Sequence, residues 1–217
     1  MLAMPLSNSQ IEAASKFWEE GGWETKELAQ LKEVFPKPQD AVKLKAVVLN
    51  ALYGTNVFAI SRVAGCLETM LSANRSTGPD MVEEWVAGIK EVTNRQHYSF
   101  VAKFAHFFIA PDLPILDYYA EWMVRRHLGR AQSPNSKRYL KCVEDVEKLR
   151  ELAGWNCECT QLDAYLWVAG EYWCWKKNQD LKINVDLKGH FIRLEAGPEN
   201  ERTLRNLLAI DVASASA

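Results

Sequence analysis

Two side chains are the chemically unusual features of this sequence, Lys103 and Asp117. Lys103 lies in the run Ser99-Phe-Val-Ala-Lys-Phe-Ala-His-Phe-Phe-Ile109, which is otherwise nearly all apolar at helical spacing. An ammonium in such a helix must snorkel to water, pair with an acid or lose its proton. Desolvation favours proton loss, and a neutral lysine amine is a nucleophile and Schiff-base former. Asp117 stands fourteen residues later, after the loop Ala110–Leu116 with its two prolines, and opens the next helical run. There a carboxylate accepts backbone N–H bonds and stays ionised. The plainer readings are a helix cap for Asp117 and a snorkelling side chain for Lys103.

Other chemistry is excluded motif by motif. The chain has no GxxxxGK[ST] or GxGxxG loop, no HExxH pair among its four histidines and no GxSxG elbow. Its five cysteines, Cys66, Cys142, Cys157, Cys159 and Cys174, form no CxxC pair, which predicts reduced thiols in a cytoplasmic protein. Cys157-Glu158-Cys159 is tighter than zinc-knuckle spacing and has no second ligand pair, so neither a metal nor a cofactor is expected.

The net charge of −2 rules out a uniformly basic coat. Charge is nevertheless polarised: between Arg95 and Lys141 eight basic residues face three acidic ones, a local excess of five positive charges against a deficit of seven elsewhere. Such a segment fits either a phosphate-facing side or a solvated face whose counter-charges come from neighbouring helices. The first residues carry no charged leader ahead of an apolar run, and no stretch reaches the roughly 18 apolar residues a membrane span needs, so no membrane partner is expected.

The elements that must position Lys103 and Asp117 are almost all helical. With 217 residues, 48% of them hydrophobic, the chain has the material for one good-sized domain. Apolar spacing predicts helices over 10–20, 25–34, 40–52, 57–72, 81–92, 99–109, 118–128, 137–152 and 161–177, with a turn at Thr93–Tyr98 and polar loops at 76–80 and 131–136. After Asn178 the texture changes: Lys182-Ile-Asn-Val-Asp-Leu187 and Phe191-Ile-Arg-Leu194 alternate polar and apolar residues around Gly189, which predicts a small β-hairpin. A short helix over 199–210 and a frayed tail over 213–217 complete the expectation. The architecture expected is mainly α, a multi-helix orthogonal bundle over 1–178 with a C-terminal hairpin, short helix and tail over 179–217 packed on the same domain.

In this order of elements the chain resembles the helix-hairpin-helix DNA glycosylase superfamily. The helix 81–92, the turn 93–98, the helix 99–109 bearing Lys103, the loop 110–116 and Asp117 follow one another as that family's hairpin, lysine helix, loop and aspartate do. The upstream pair Leu44-Lys-Ala-Val-Val-Leu-Asn-Ala-Leu-Tyr-Gly-Thr-Asn-Val57 and Ile60–Leu71 is similar to its early helices. So is Leu162-Asp-Ala-Tyr-Leu-Trp167 with Gly170, and the resemblance covers about residues 40–175.

The resemblance implies DNA as partner and a flipped, damaged base as substrate. Asp117 would stabilise an oxocarbenium-like sugar while Lys103 or a water attacks C1′. It implies a pocket lined by His106, Tyr118, Tyr119 and Trp122, and phosphate contacts from Arg95, Arg125, Arg126 and Arg130. Three departures accompany it. The turn Asn94-Arg-Gln-His-Tyr98 lacks the family's Gly-x-Gly, the spacing from Lys103 to Asp117 is about one helical turn shorter than in active enzymes, and the iron–sulfur cysteines are absent. A non-enzymatic module that binds nucleic acid or protein on the same scaffold, and a small-molecule site in the Trp-rich segment 165–177, are the other functions open to this sequence.

Overall fold

Ten α-helices and no strand occur among the residues described by the computed structural model, which are 6–21, 26–73, 77–130, 138–154, 158–178, 183 and 185–195. In chain order they are α1 (Asn8–Gly21), α2 (Lys26–Val34), α3 (Val42–Leu52), α4 (Ile60–Ser72), α5 (Pro79–Thr93), α6 (Tyr98–Phe108), α7 (Tyr118–Leu128), α8 (Arg138–Ala153), α9 (Cys159–Lys177) and α10 (Val185–Glu195). None of them is long and apolar enough to cross a membrane.

The chain divides into two compact units. The first holds α2 to α6 with the N-terminal half of α8; the second holds α1, nearly all of α7, the rest of α8, α9 and α10.

In the first unit α3 packs on α2, α4 and α6, while α5 packs on α4 and α6. The helices approach because each presents an apolar stripe: Val42, Ala46 and Leu49 on α3, Val63, Ala64 and Leu67 on α4, and Val82, Trp85 and Ile89 on α5, all buried. α6 is buried on nearly every face, so the two polar groups it carries inward, Lys103 and His106, must find partners inside the fold.

Between α5 and α6 the turn is built without glycine. Asn94 takes the left-handed conformation (φ 58°, ψ 22°) and its N–H donates to the Lys90 carbonyl, so an asparagine fills the place where a glycine is usual. The Thr93 hydroxyl donates to the Ile89 carbonyl and accepts from the Arg95 N–H, which closes the reversal. Buried Tyr98 then opens α6 and donates through its hydroxyl to Glu83 Oε2, 2.7 Å away. The other oxygen of Glu83 accepts the N–H of Tyr139 at 2.6 Å and of Leu140 at 3.3 Å, two of the otherwise unpaired donors at the start of α8. Burial, and then the bond to Glu83, push the Tyr98 phenol up to about 12.

In the second unit α9 is the central helix, apolar on all sides as its sequence predicts, with α1 and α10 packed on it. Its start is fastened by a capping box in which Glu158 and Gln161 exchange side-chain and backbone bonds. Gly170 lets α9 lie close against α7: a Cβ there would overlap the Tyr119 carbonyl.

The β-hairpin expected after Asn178 is corrected by α10. Residues 185–195 are helical, and the buried side chains Ile183, Leu187 and Phe191 recur every four residues, a helical spacing concealed within short stretches that also alternate. Phe191 stacks 6.1 Å from Trp175 and meets Tyr172 edge-on at 5.2 Å, and this aromatic packing rewards a helix here. The helix expected over 199–210, the tail over 213–217 and the loop 131–136 lie outside the described residues. The helix expected from residue 40 begins at Val42: its cap position is Ala41, in a left-handed conformation with no side-chain bond, and Asp40 lies in the turn ahead of it.

Candidate active site

Lys103 sits five residues before the end of α6, roughly 8 Å back along the helix axis at 1.5 Å per residue. For Asp117 to reach it, the chain must leave α6, reverse and return alongside. Two hydrogen bonds hold this return. The His106 Nδ1–H donates to the Leu113 carbonyl at 2.8 Å, and the Tyr139 hydroxyl of α8 donates to the Pro114 carbonyl at 2.9 Å. Because a carbonyl only accepts, neutral His106 carries its proton on Nδ1.

The result is that Lys103 and Asp117 meet. The Lys103 ammonium donates to Asp117 Oδ2 at 3.2 Å and to Ser99 Oγ, one turn earlier on α6, at 2.9 Å. Lys103 is 5% exposed and Asp117 9%, so this is a buried ion pair. The short spacing read from the sequence is thus accommodated by the doubled-back loop, which brings the two groups into contact.

Aromatic rings form one boundary of the site. The Tyr53 ring centroid is 5.8 Å from the Lys103 ammonium, and Tyr53 stacks on Phe107 with centroids 5.2 Å apart. Tyr53 comes from the end of α3, where the break Tyr53-Gly-Thr-Asn56 is held by Asn50. The Asn50 Oδ1 accepts the Thr55 hydroxyl at 2.7 Å and the Val57 N–H at 2.9 Å. Tyr53 falls between the expected helices 40–52 and 57–72 and is not among the expected site residues; the signal available was a tyrosine beside a glycine at the end of an apolar helix.

The other expected site residues divide between the units. His106 shares the first unit with the ion pair and is buried against Phe107. Arg95 is exposed in the α5–α6 turn, and Tyr118, at the start of α7, is 58% exposed. Tyr119, Trp122, Arg125, Arg126 and Arg130 belong to the second unit. There Arg125 pairs with Glu121 one turn back on α7. The Arg126 guanidinium lies 5.3 Å from the Trp122 ring centroid and 4.5 Å from that of Trp173.

These contacts temper the basic segment. Lys103 pairs with Asp117 and Arg125 with Glu121, two acids already counted within the segment, while Lys141 pairs with Glu144 and Asp145 beyond it, so one charge of the excess read from the sequence is answered from outside. Among the described residues no group of His, Cys, Asp and Glu is arranged to hold a metal ion. Cys66 and Cys174 are free thiols, Cys142 and Cys159 are buried, and Cys157 lies outside the described residues.

Burial holds His106 below the usual histidine value; the Leu113 carbonyl opposes this, and the Lys32 and Lys103 charges add to it. The neutral form therefore belongs to the fold. As pH falls through about 6.5 the unfolded chain takes up a proton that folded His106 refuses. Stability should accordingly decline between pH 7 and 5, with His97, also lowered by burial, contributing in the same direction. Urea unfolding of the wild type and His106→Gln across this range checks it: the substituted chain should show the shallower pH dependence, and an unchanged slope would locate the effect elsewhere. Compared with known protein families, curated proteins and solved structures, the chain finds no match.

Proposed function

We propose that this chain acts on DNA as a glycosylase-like or abasic-site lyase protein of the helix-hairpin-helix kind, in a reducing, cytoplasmic setting. The observation that carries the reading is the 3.2 Å contact between Lys103, on the second helix of the α5–α6 hairpin, and Asp117, immediately ahead of α7. In lyase chemistry the neutral Lys103 amine attacks C1′ of an abasic sugar in its open aldehyde form. A C–N bond forms, water leaves, and the imine that results labilises the 3′ phosphate. Lys103 must first release a proton, and Asp117, already its hydrogen-bond partner, is placed to receive it. In base removal the Asp117 carboxylate would instead balance the positive charge that develops at C1′ as the base departs.

The roles of His106, Tyr118, Tyr119 and Trp122 as base contacts, and of Arg95, Arg125, Arg126 and Arg130 as phosphate contacts, belong to this proposal. A second reading, a module without chemistry that binds nucleic acid or a protein on the same scaffold, is favoured by the burial of both reacting groups and by the absence of the glycines that the family's hairpin uses.

One experiment separates the two. Duplexes bearing abasic sites or oxidised bases are incubated with the chain in the presence of borohydride, which reduces an imine to a stable amine. The expected result is a covalent adduct with the wild type and none with Lys103→Met. Salt-sensitive DNA binding with neither adduct nor strand scission would establish the module. Absence of DNA binding at low salt would overturn the enzyme and nucleic-acid readings and leave a protein partner.

A further inference from the structure

The Trp-rich end of α9 takes part in an arrangement that the Lys103–Asp117 pair does not use. Trp122 and Arg126 stand one turn apart on α7, and the Arg126 guanidinium lies 5.3 Å from the Trp122 ring centroid and 4.5 Å from that of Trp173 on α9. All three residues belong to the second unit. A guanidinium plane is thus flanked by two indoles, a cluster of three flat groups. The cluster reaches the surface, since Arg126 is exposed and both tryptophans are half-buried.

Trp173 is fixed by its ring and not by its N–H. Buried Tyr172 meets it edge-on with centroids 6.1 Å apart, while Nε1 is buried and makes no hydrogen bond among the described residues. A buried indole N–H usually finds an acceptor. As a stabilising device the cluster is poor, because two cation–π contacts at the surface return about what holding a long arginine side chain costs. It also leaves two large apolar rings partly in water.

Ring faces and a guanidinium plane are the groups on which unpaired bases stack. The surroundings supply charge that suits the strand's backbone. Arg130 follows Arg126 by one turn on α7, and exposed Lys177 follows Trp173 by one turn on α9. Glu121 and Glu195 are bound to Arg125 and Lys176, and Glu171 is buried. A duplex keeps its bases stacked inside, so this surface suits a single strand.

We propose that Trp122, Arg126 and Trp173 form a stacking site for the unpaired bases of a single-stranded nucleic acid, whose phosphates meet Arg130 and Lys177. This joins the contacts proposed above for Trp122 and Arg126 into one stacking surface and adds Trp173. It shares with the proposed function only the nucleic-acid partner, because the site lies in the unit that holds neither Lys103 nor Asp117.

The test compares two fluorescently labelled strands of equal length by anisotropy at low salt. One is an oligothymidylate; the other carries a tetrahydrofuran abasic residue at every position, which keeps the phosphates and lacks the bases. The wild type should bind the oligothymidylate about tenfold more tightly or better, the factor that stacking a base supplies. Trp173→Ala should remove most of this preference and Trp173→Phe should keep it. Arg126→Lys, which retains the charge and loses the plane, should reduce the preference several-fold with the salt dependence unchanged.

Equal affinity of the wild type for the two strands, or no binding of either, overturns the proposal. So does a wild-type preference in Arg126→Lys together with Trp173→Ala. Thermal unfolding of the variants keeps misfolding apart from lost binding; should Trp173→Ala not fold, Arg126→Lys, at an exposed position, decides. Borohydride trapping by the wild type separates the two proposals. Base preference without an adduct upholds the stacking site and removes the lyase chemistry, whereas an adduct without base preference overturns the stacking site alone.

Discussion

Replacing Asp117 by alanine should destabilise the chain by about 3–5 kcal/mol, the usual cost of removing one partner from a buried ion pair. The physical reason is asymmetric. Lys103 is 5% exposed and lies in the most apolar helix of its unit; without Asp117 its ammonium keeps only Ser99 Oγ and the face of Tyr53. The lysine must then give up its proton or drag water inward, and either costs more than the pair contributed. Lys103→Met should cost less, because the carboxylate left behind begins the residues leading into α7, close to backbone donors. The double change Lys103→Met with Asp117→Leu should recover much of the loss, since an apolar pair of similar volume replaces the ions. Urea unfolding of the four chains closes the cycle. If Asp117→Ala falls within about 1 kcal/mol of the wild type, Lys103 reaches water by another route and the pair is not a desolvated one. Function moves the other way: the double variant, though stable, should form no borohydride adduct.

The second large effect is expected at Gly170→Ala in α9. A Cβ there would lie 2.4 Å from the Tyr119 carbonyl oxygen and 2.7 Å from its carbonyl carbon. These are backbone atoms in α7, so no rotamer change relieves the overlap and the helices must part. Overpacking of this kind costs typically 1–3 kcal/mol, and the rigidity of the obstacle places this case at the upper end. Two glycines of α4 and α5 serve as comparisons. At Gly65 nothing lies within 4 Å of an added Cβ, so Gly65→Ala should stabilise by roughly 0.5–1 kcal/mol through helix propensity. At Gly88 the obstacle is the Met70 methyl, at 2.1 Å, which can swing away, so Gly88→Ala should fall between the two. Thermal unfolding of the three variants gives the order. Gly170→Ala melting at the wild-type temperature would mean that α7 and α9 are not held at this distance. Tyr119 is two residues beyond Asp117, so a displaced α7 start should also weaken any chemistry that depends on that carboxylate.

Nine of the ten helices correspond to runs whose apolar residues recur every three or four positions, and their order along the chain is local information. The exception, α10, shows where local reading fails. A stretch of six residues satisfies both a period of two and one of 3.6, and tertiary packing decides: in the helix Phe191 meets Trp175 and Tyr172. The turn at Asn94 is a milder case: no glycine marks it, yet asparagine tolerates the left-handed conformation and the reversal forms.

What the sequence determined by itself is that one lysine and one histidine stand in an otherwise nearly all-apolar helix, and that an aspartate follows after two prolines. Those facts depend on residue types and on the periodicity of a single helix. Whether the lysine and the aspartate meet depended on the path of the chain between them. That path is set by the Leu113 and Pro114 carbonyls accepting bonds from His106 and from Tyr139, the latter twenty-five residues further on. Tyr53, Lys32 and Glu83 enter the surroundings of the site or its supporting hairpin from helices far away in the chain. No spacing rule announces them, because hydrogen bonds and ring contacts act over a few ångströms in space, whatever the separation in sequence.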